Sequence, residues 1–147
     1  MKRHILALAM AMTVGAASAQ VVVHEPWVRA TVANQQASGA FMQLNASRNM
    51  KLVEARSPVA AQVEIHQMTM DHDVMKMRPV KFVPLPAGKP VALEPGSYHI
   101  MLLGLKKQIR PGDVVPLTIV IEGEDGQRQS IEVKAPAREL SAMTHNH

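Results

Sequence analysis

The sequence predicts an all-β domain, a β-sandwich with Greek-key connections. Short segments in which apolar and polar residues alternate recur along most of the chain, and ten Pro and eight Gly separate them. The sequence carries no convincing helical periodicity, no internal repeat and no sign of a second domain. Short strands at such regular spacing are typical of sandwiches and barrels. We therefore expect one domain built from strands.

Nine strands are expected, each bounded by turn-forming residues. The turn Gly123-Glu124-Asp125-Gly126 should join the last two as a hairpin. Pro84, Pro86 and Pro90 indicate a loop in the middle of the chain. In order, the predicted strands cover residues 27–31, 39–45, 51–57, 62–68, 74–79, 91–93, 98–103, 114–122 and 127–134.

The two ends of the chain differ from this pattern. Residues 1–19 have a basic start at Lys2 and Arg3, an apolar run and a small-residue site at Ala17-Ser18-Ala19, which predict a cleaved signal peptide and a periplasmic protein. The apolar run is too short for a membrane span. Residues 20–134 should form the domain, and residues 135–147, which lack periodicity, a flexible tail.

Four residues on a fixed spacing are the strongest functional signal. His66 is followed after ten residues by Met77, and after twenty-one more by His99 and then Met101. Thioether sulfur and neutral imidazole suit soft Cu(I), whereas Mg²⁺ and Ca²⁺ prefer oxygen. The spacing therefore predicts a Cu(I) site.

Strand alternation would bring these residues to one face. His99 and Met101 are two residues apart, so both point the same way from one strand. A hairpin with its turn at Asp71-His72 would place His66 opposite Met77, and Met68 opposite Met75. We expect this hairpin and the His99 strand to face each other across the metal.

Packing is the competing explanation for each Met, because Met fills irregular gaps in cores. Met42 and Met50 are expected to be such packing residues, and Trp27 a core anchor. The density of Met between residues 68 and 77 is harder to explain by packing, because cores prefer Leu, Ile and Val. His24 and His72 are weaker candidate ligands.

The residues around the motif resemble a known family. The segments EIHQMTMDHDVMKMRPV, ALEPGSYHIMLLGLKKQIRPGD and ASGAFMQLNAS resemble the PCuAC periplasmic copper chaperones, whose pattern His66, Met77, His99 and Met101 match without a gap. The resemblance implies a cupredoxin-like β-sandwich that holds Cu(I) near its surface. It also implies delivery of copper to the copper sites of cytochrome c oxidase, alongside a Sco-type thiol protein.

The tail offers a possible second site. Met143, His145 and His147 alternate and resemble Met- and His-bearing extensions in some family members, which are thought to take up a second copper, including Cu(II). The same residues could equally be inert polar residues at a terminus. Met68 is a further secondary candidate.

Composition excludes several other functions. The net charge of +4 is small, and Lys106, Lys107 and Arg110 form only a minor basic patch, which argues against nucleic acid as a partner. Without Cys the chain cannot form a blue-copper site, which needs a thiolate. It has no recognisable nucleophile arrangement and no phosphate-binding loop, so we expect a binding protein and not an enzyme. We also expect it to be a monomer. A periplasmic copper buffer or tolerance protein without a dedicated acceptor, and a structural or adhesin-type sandwich, remain open alternatives.

Overall fold

The computed structural model describes residues 20–139, which form ten β-strands. Within this range there is no helix of the length and apolarity needed to cross a membrane. The expected signal peptide, residues 1–19, and the last eight residues of the expected tail lie outside the described residues. The strands are β1 (Val21–Arg29), β2 (Ala37–Ala46), β3 (Met50–Arg56), β4 (Ala60–Asp71), β5 (Val74–Pro79), β6 (Val83–Leu85), β7 (Pro90–Leu93), β8 (Tyr98–Leu105), β9 (Val114–Gly123) and β10 (Arg128–Arg138).

The strands form two layers that are joined through one continuous hydrogen-bonded order, β5-β4-β8-β7-β2-β1-β10-β9-β3-β6. The layers connect where β1 runs parallel to β10 through only two residue pairs, Val28 with Ala137 and Arg29 with Arg138. Many neighbours are distant in sequence, such as β4 with β8 and β3 with β9. The predicted all-β, cupredoxin-like β-sandwich with Greek-key connections is therefore confirmed.

The core lies between the layers and consists of the inward-facing residues of each strand. In β8, for example, Ile100 and Leu102 are fully buried in the core, while His99 and Met101 point to the opposite face. The largest fully buried side chains come from both layers: Leu44, Leu52, Leu85, Leu93, Ile100, Leu102, Leu117, Ile119, Ile121, Val28 and Val83. Met42 and Met50 belong to this core, as predicted.

The structure differs from the predicted strands mainly around prolines and small residues. Strand β6 lies where the prolines indicated a loop, and Pro84 is tolerated because β6 is at the sheet edge, where a missing N–H costs no pairing. Strand β10 continues four residues past Lys134, to Arg138, because Ala135 and Ala137 pack in the core despite their low strand propensity.

Strand β1 begins at Val21, six residues before the predicted start. The pairing of β1 with β2 is irregular between His24 and Trp27, and Glu25 has a φ of 48°. This irregularity resembles a β-bulge, which lets one strand accommodate Pro26 and continue. Trp27 is buried, but it points away from the inter-layer core and packs on Phe41 on the other face of the sheet.

Candidate metal centre

The hairpin of β4 and β5 carries the first half of the motif. Its register is not the predicted one: His66 lies opposite Pro79, Met68 opposite Met77 and Met70 opposite Met75. The two central turn residues are His72 and Asp73, with φ values of 50° and 65°. A two-residue hairpin turn of type I′ needs positive φ at both positions, and His and Asp tolerate that region better than most residues.

The predicted pairing of His66 with Met77, and of Met68 with Met75, is therefore wrong by two residues. Because side chains alternate with a period of two, this error does not move any of them to the other face. An ion pair supports the observed turn, since Lys76 Nζ lies 3.0 Å from Asp71 Oδ2. The methionines of the hairpin still share a face with His66.

Strand β8 brings the second half of the motif against the first. His99 pairs directly with His66 across the β4–β8 ladder, and Met101 pairs with Glu64. The centroids of the two imidazole rings are 5.9 Å apart. The structure thus places the four predicted ligands on one face of three adjacent strands, in the order β5, β4, β8. The expectation that the hairpin and the His99 strand face each other across the metal is wrong, because β4 and β8 are hydrogen-bonded neighbours in one layer.

A pocket of about 230 Å³ opens on this face. Met68, Met77, His99 and Met101 line it together with Phe41, and His66 lies beside it, next to His99. His99 is buried, with 5% of its surface exposed, whereas Met77 is 47% exposed. The pocket is therefore closed on the His99 side and open to solvent at the hairpin.

Hydrogen bonds leave one ring nitrogen free on each histidine. His66 Nε2 donates to Glu64 Oε2 at 2.7 Å, while His66 Nδ1 is buried and has no hydrogen-bond partner. His99 Nδ1 donates to the carbonyl oxygen of Ser97 at 3.2 Å. A metal-ligating imidazole commonly donates its other N–H to a carboxylate or carbonyl, which fixes the tautomer. The nitrogens left with a lone pair are His66 Nδ1 and His99 Nε2.

The environment of His99 favours its neutral form. Burial is the main cause that lowers the pKa of His99 below 6.5, and the nearby His66 and Arg29 add to this effect, while the hydrogen bond to Ser97 opposes it. A neutral imidazole is the form that can bind a metal. His99 is therefore ready to act as a ligand at neutral pH.

Two aromatic side chains, Trp27 and Phe41, pack beside His99, and we call them the aromatic wall. The Phe41 ring lies 6.2 Å from the His99 ring and 4.5 Å from the Trp27 ring. Gly39 makes room for Phe41, because a Cβ at Gly39 would lie 2.8 Å from Phe41 Cζ. Sequence reasoning gave Phe41 and Glu64 no role at the site, although the spacing of Glu64 two residues before His66 was a usable signal.

Of the weaker candidate ligands, Met68 lines the pocket, whereas His72 and His24 lie outside it. His72 lies in the hairpin turn with its side chain 97% exposed, and His24 lies on β1 opposite Gln43. Among residues 20–139, no three His, Asp or Glu side chains come together in a group that could hold a metal. Met143, His145 and His147 lie outside the described residues.

Residues 21–137 match the model of the family described as putative lipoprotein LpqE-like. A putative lipoprotein of Leifsonia xyli subsp. xyli, Lxx21020, is 28% identical over 95% of this chain and 82% of its own length. The uncharacterized protein RP573 of Rickettsia prowazekii is 33% identical over 79% of this chain and 67% of its own length.

Solved structures of PCuAC domains share the fold. Apo-DR1885 from Deinococcus radiodurans has a TM-score of 0.62 and 25% identity, covering 95% of this chain and 92% of that one. CuI-DR1885 has a TM-score of 0.57 and 28% identity, covering 86% of each chain. The copper-bound PCuAC domain from PmoF2 has a TM-score of 0.61 and 21% identity, over 81% of this chain and 94% of that domain. The chain belongs to the LpqE-like family, which is also the family of the PCuAC domains.

Proposed function

We propose that this protein is a Cu(I)-binding metallochaperone, and that His66, Met77, His99 and Met101 hold the copper. The observation that carries the proposal is the orientation of the two imidazoles. Each has one nitrogen tied to a hydrogen-bond acceptor and the other free, and thioethers lie on the same face. Two imidazole nitrogens and two thioethers form a soft ligand set suited to Cu(I).

The chemistry of the described residues argues against other metals. Zinc sites in proteins commonly use three or four His, Cys or carboxylate ligands, and such a group is lacking among residues 20–139. The chain has no Cys, so a thiolate cannot take part. Two of the solved relatives are described as copper-bound or CuI forms, which supports copper as the cargo here as well.

The open side of the site suits transfer of the metal. Met77 is about half exposed on a hairpin whose second strand, β5, is exposed along its whole length. An acceptor that offers thiolates could therefore reach the copper from this side and replace the thioethers, which are weaker ligands, one at a time. We propose that the acceptor is the copper-site subunit of cytochrome c oxidase, and that a Sco-type thiol protein takes part as a second partner.

Transfer in solution tests this function. Copper-loaded protein is mixed without oxygen with the purified oxidase subunit that carries the dinuclear copper site, and the two are separated and assayed for copper. We expect copper to move to the subunit, and His99→Ala protein to deliver much less. If the parent keeps its copper, the protein is a copper buffer or tolerance protein. If it never binds Cu(I) in competition with a chromophoric chelator, a structural sandwich is the better explanation.

We also propose that the protein works in the periplasm as a monomer. The N-terminal pattern of residues 1–19 and the lipoprotein description of the relative from Leifsonia xyli support an envelope location. Intact-mass measurement on protein from its native host should show a chain that begins at or near Gln20. A mass that still includes Met1 would contradict export by cleavage.

A further inference from the structure

The β4–β5 hairpin carries more methionine than the central site uses. Met68, Met70, Met75 and Met77 share one face and form two cross-strand pairs, Met68 with Met77 and Met70 with Met75. We call these the inner pair and the outer pair. Met68 and Met77 of the inner pair line the pocket that contains His99, whereas the outer pair lies next to the turn.

Packing does not explain the outer pair. The residue pairing of β4 with β8 ends at Gln67, and one further backbone hydrogen bond runs from the Met68 N–H to the Ser97 carbonyl at 3.1 Å. From Thr69 onward, β4 has only β5 beside it. Met70 is 65% exposed and Met75 is 44% exposed. The opposite face of the hairpin carries polar and charged residues, among them Thr69 paired with Lys76. Neither face of the hairpin tip is buried in the inter-layer core.

The geometry of the outer pair suits a single soft ion. Side chains directly opposite in an antiparallel pair have Cβ atoms about 4.5–5.5 Å apart. Met has three rotatable side-chain bonds and a polarizable sulfur, so both thioethers can turn toward one ion. Asp71 follows Met70 on β4, so it points to the opposite face, where it is paired with Lys76. The methionine face therefore offers soft ligands to Cu(I) and little to hard cations.

The outer pair also lies on a direct route to the central site. The inner pair is two residues further along the strands, a distance of roughly 7 Å at the usual rise per residue. Met77 of the inner pair is itself a proposed ligand of the central copper. An ion on the outer pair thus needs one short step to reach a residue of the central site.

We propose that Met70 and Met75 form a second, weaker Cu(I) site, and that copper bound there passes through the inner pair to the central site. This inference rests on the proposed function. With only two thioethers and high exposure, the outer pair should bind copper less tightly than a site that also has two imidazoles, one of them on the buried His99. Copper should therefore fill the central site first at equilibrium, even when it arrives through the outer pair.

The test follows each methionine separately in the full chain labelled with ¹³C at the Met methyl groups. Cu(I) is added without oxygen, and Ag(I) serves as a probe that does not change oxidation state. The first equivalent should shift the Met77 and Met101 signals, and further metal should shift those of Met70 and Met75. Loading from a Cu(I)–chelator complex should be about tenfold slower in the double variant Met70→Leu, Met75→Leu. A tenfold slower rate corresponds to an activation free energy of copper entry that is higher by about 1.4 kcal/mol.

The matched control is Met42→Leu, the same change in the core, which should load at the parent rate. If the Met70 and Met75 signals stay unmoved beyond one equivalent, or if the double variant loads as fast as the parent, the inference is overturned. Failure of the proposed function looks different, because the Met101 signal would then not respond to the first equivalent. Unchanged affinity of the double variant for the first equivalent separates an entry role from a misfolded hairpin.

Discussion

Replacing Gly39 by Ala tests how tightly the aromatic wall is packed behind the proposed copper site. Gly39 lies opposite Met101 in the β2–β8 pairing. The added Cβ would lie 2.8 Å from Cζ and 3.2 Å from Cε2 of the Phe41 ring, where ordinary contact begins at 3.4 Å. The ring would have to move by roughly 0.6 Å or more to relieve this overlap.

Phe41 has little room for that movement. Its side chain is 3% exposed and lies between the rings of Trp27 and His99, with the Arg29 guanidinium 5.7 Å from the ring centre. Overpacking of this kind typically costs about 1–3 kcal/mol. For a domain of this size each kcal/mol lowers Tm by about 3–5 °C, so Gly39→Ala should melt clearly below the parent.

Thermal unfolding of the copper-free protein, followed by circular dichroism, measures the effect. The double variant Gly39→Ala, Phe41→Leu is the matched control, because the shorter side chain leaves space for the new Cβ. Its loss of stability should be smaller than the sum of the two single losses. Gly39→Ala should also weaken Cu(I) binding, since the displaced ring contacts His99. Parent-like melting of Gly39→Ala, or strictly additive losses in the double variant, would refute the reasoning.

Three further predictions concern Glu64, the protonation of His99 and the C-terminal tail. Glu64→Ala removes the 2.7 Å hydrogen bond to His66 Nε2 and should weaken Cu(I) binding about 10–100-fold, measured by chelator competition. Unchanged affinity would show that Glu64 does not position His66. Because the pKa of His99 is lowered in the folded protein, the unfolded chain binds more protons than the folded one below about pH 6.5. Urea unfolding of the copper-free protein should therefore show that the free energy of unfolding decreases as the pH is lowered below that value. The decrease should be less steep in His99→Gln, and equal slopes would contradict this. Truncation after Leu140 should reduce copper stoichiometry, chiefly for Cu(II), and leave the tight Cu(I) site intact; equal stoichiometry would mean that the tail is inert.

The fold class and the shared face of the proposed ligands followed from periodicity. Alternation places His99 and Met101 on one face of β8 whatever the neighbouring strands are, and the same holds for His66 and Met68 on β4. We expected the hairpin and the His99 strand to face each other across the metal, but they are hydrogen-bonded neighbours in one layer. Alternation could not indicate that His66 and His99 pair directly, because the packing of the whole domain decides which strands lie side by side.

Register and supporting contacts were less accessible from the sequence. The turn could be centred on Asp71-His72 or on His72-Asp73, since all three residues tolerate positive φ, and only the structure distinguishes them. The free nitrogens of the two histidines depend on Glu64 and on the Ser97 carbonyl, which sequence alone does not orient. Strand β6 was missed because its three residues contain Pro84, which ordinarily argues against a strand.

The most direct test of the proposed copper ligands is Cu(I) competition with a chromophoric chelator for the parent and for His66→Ala, Met77→Leu, His99→Ala and Met101→Leu, with Met42→Leu as control. The Met→Leu changes conserve volume and should cost less than about 1.5 kcal/mol of stability, so each variant's fold can be checked by circular dichroism. We predict that all four variants bind Cu(I) more weakly than the parent and that Met42→Leu binds as tightly. Parent-like affinity in both His99→Ala and Met101→Leu would contradict the account and move the site to the hairpin methionines.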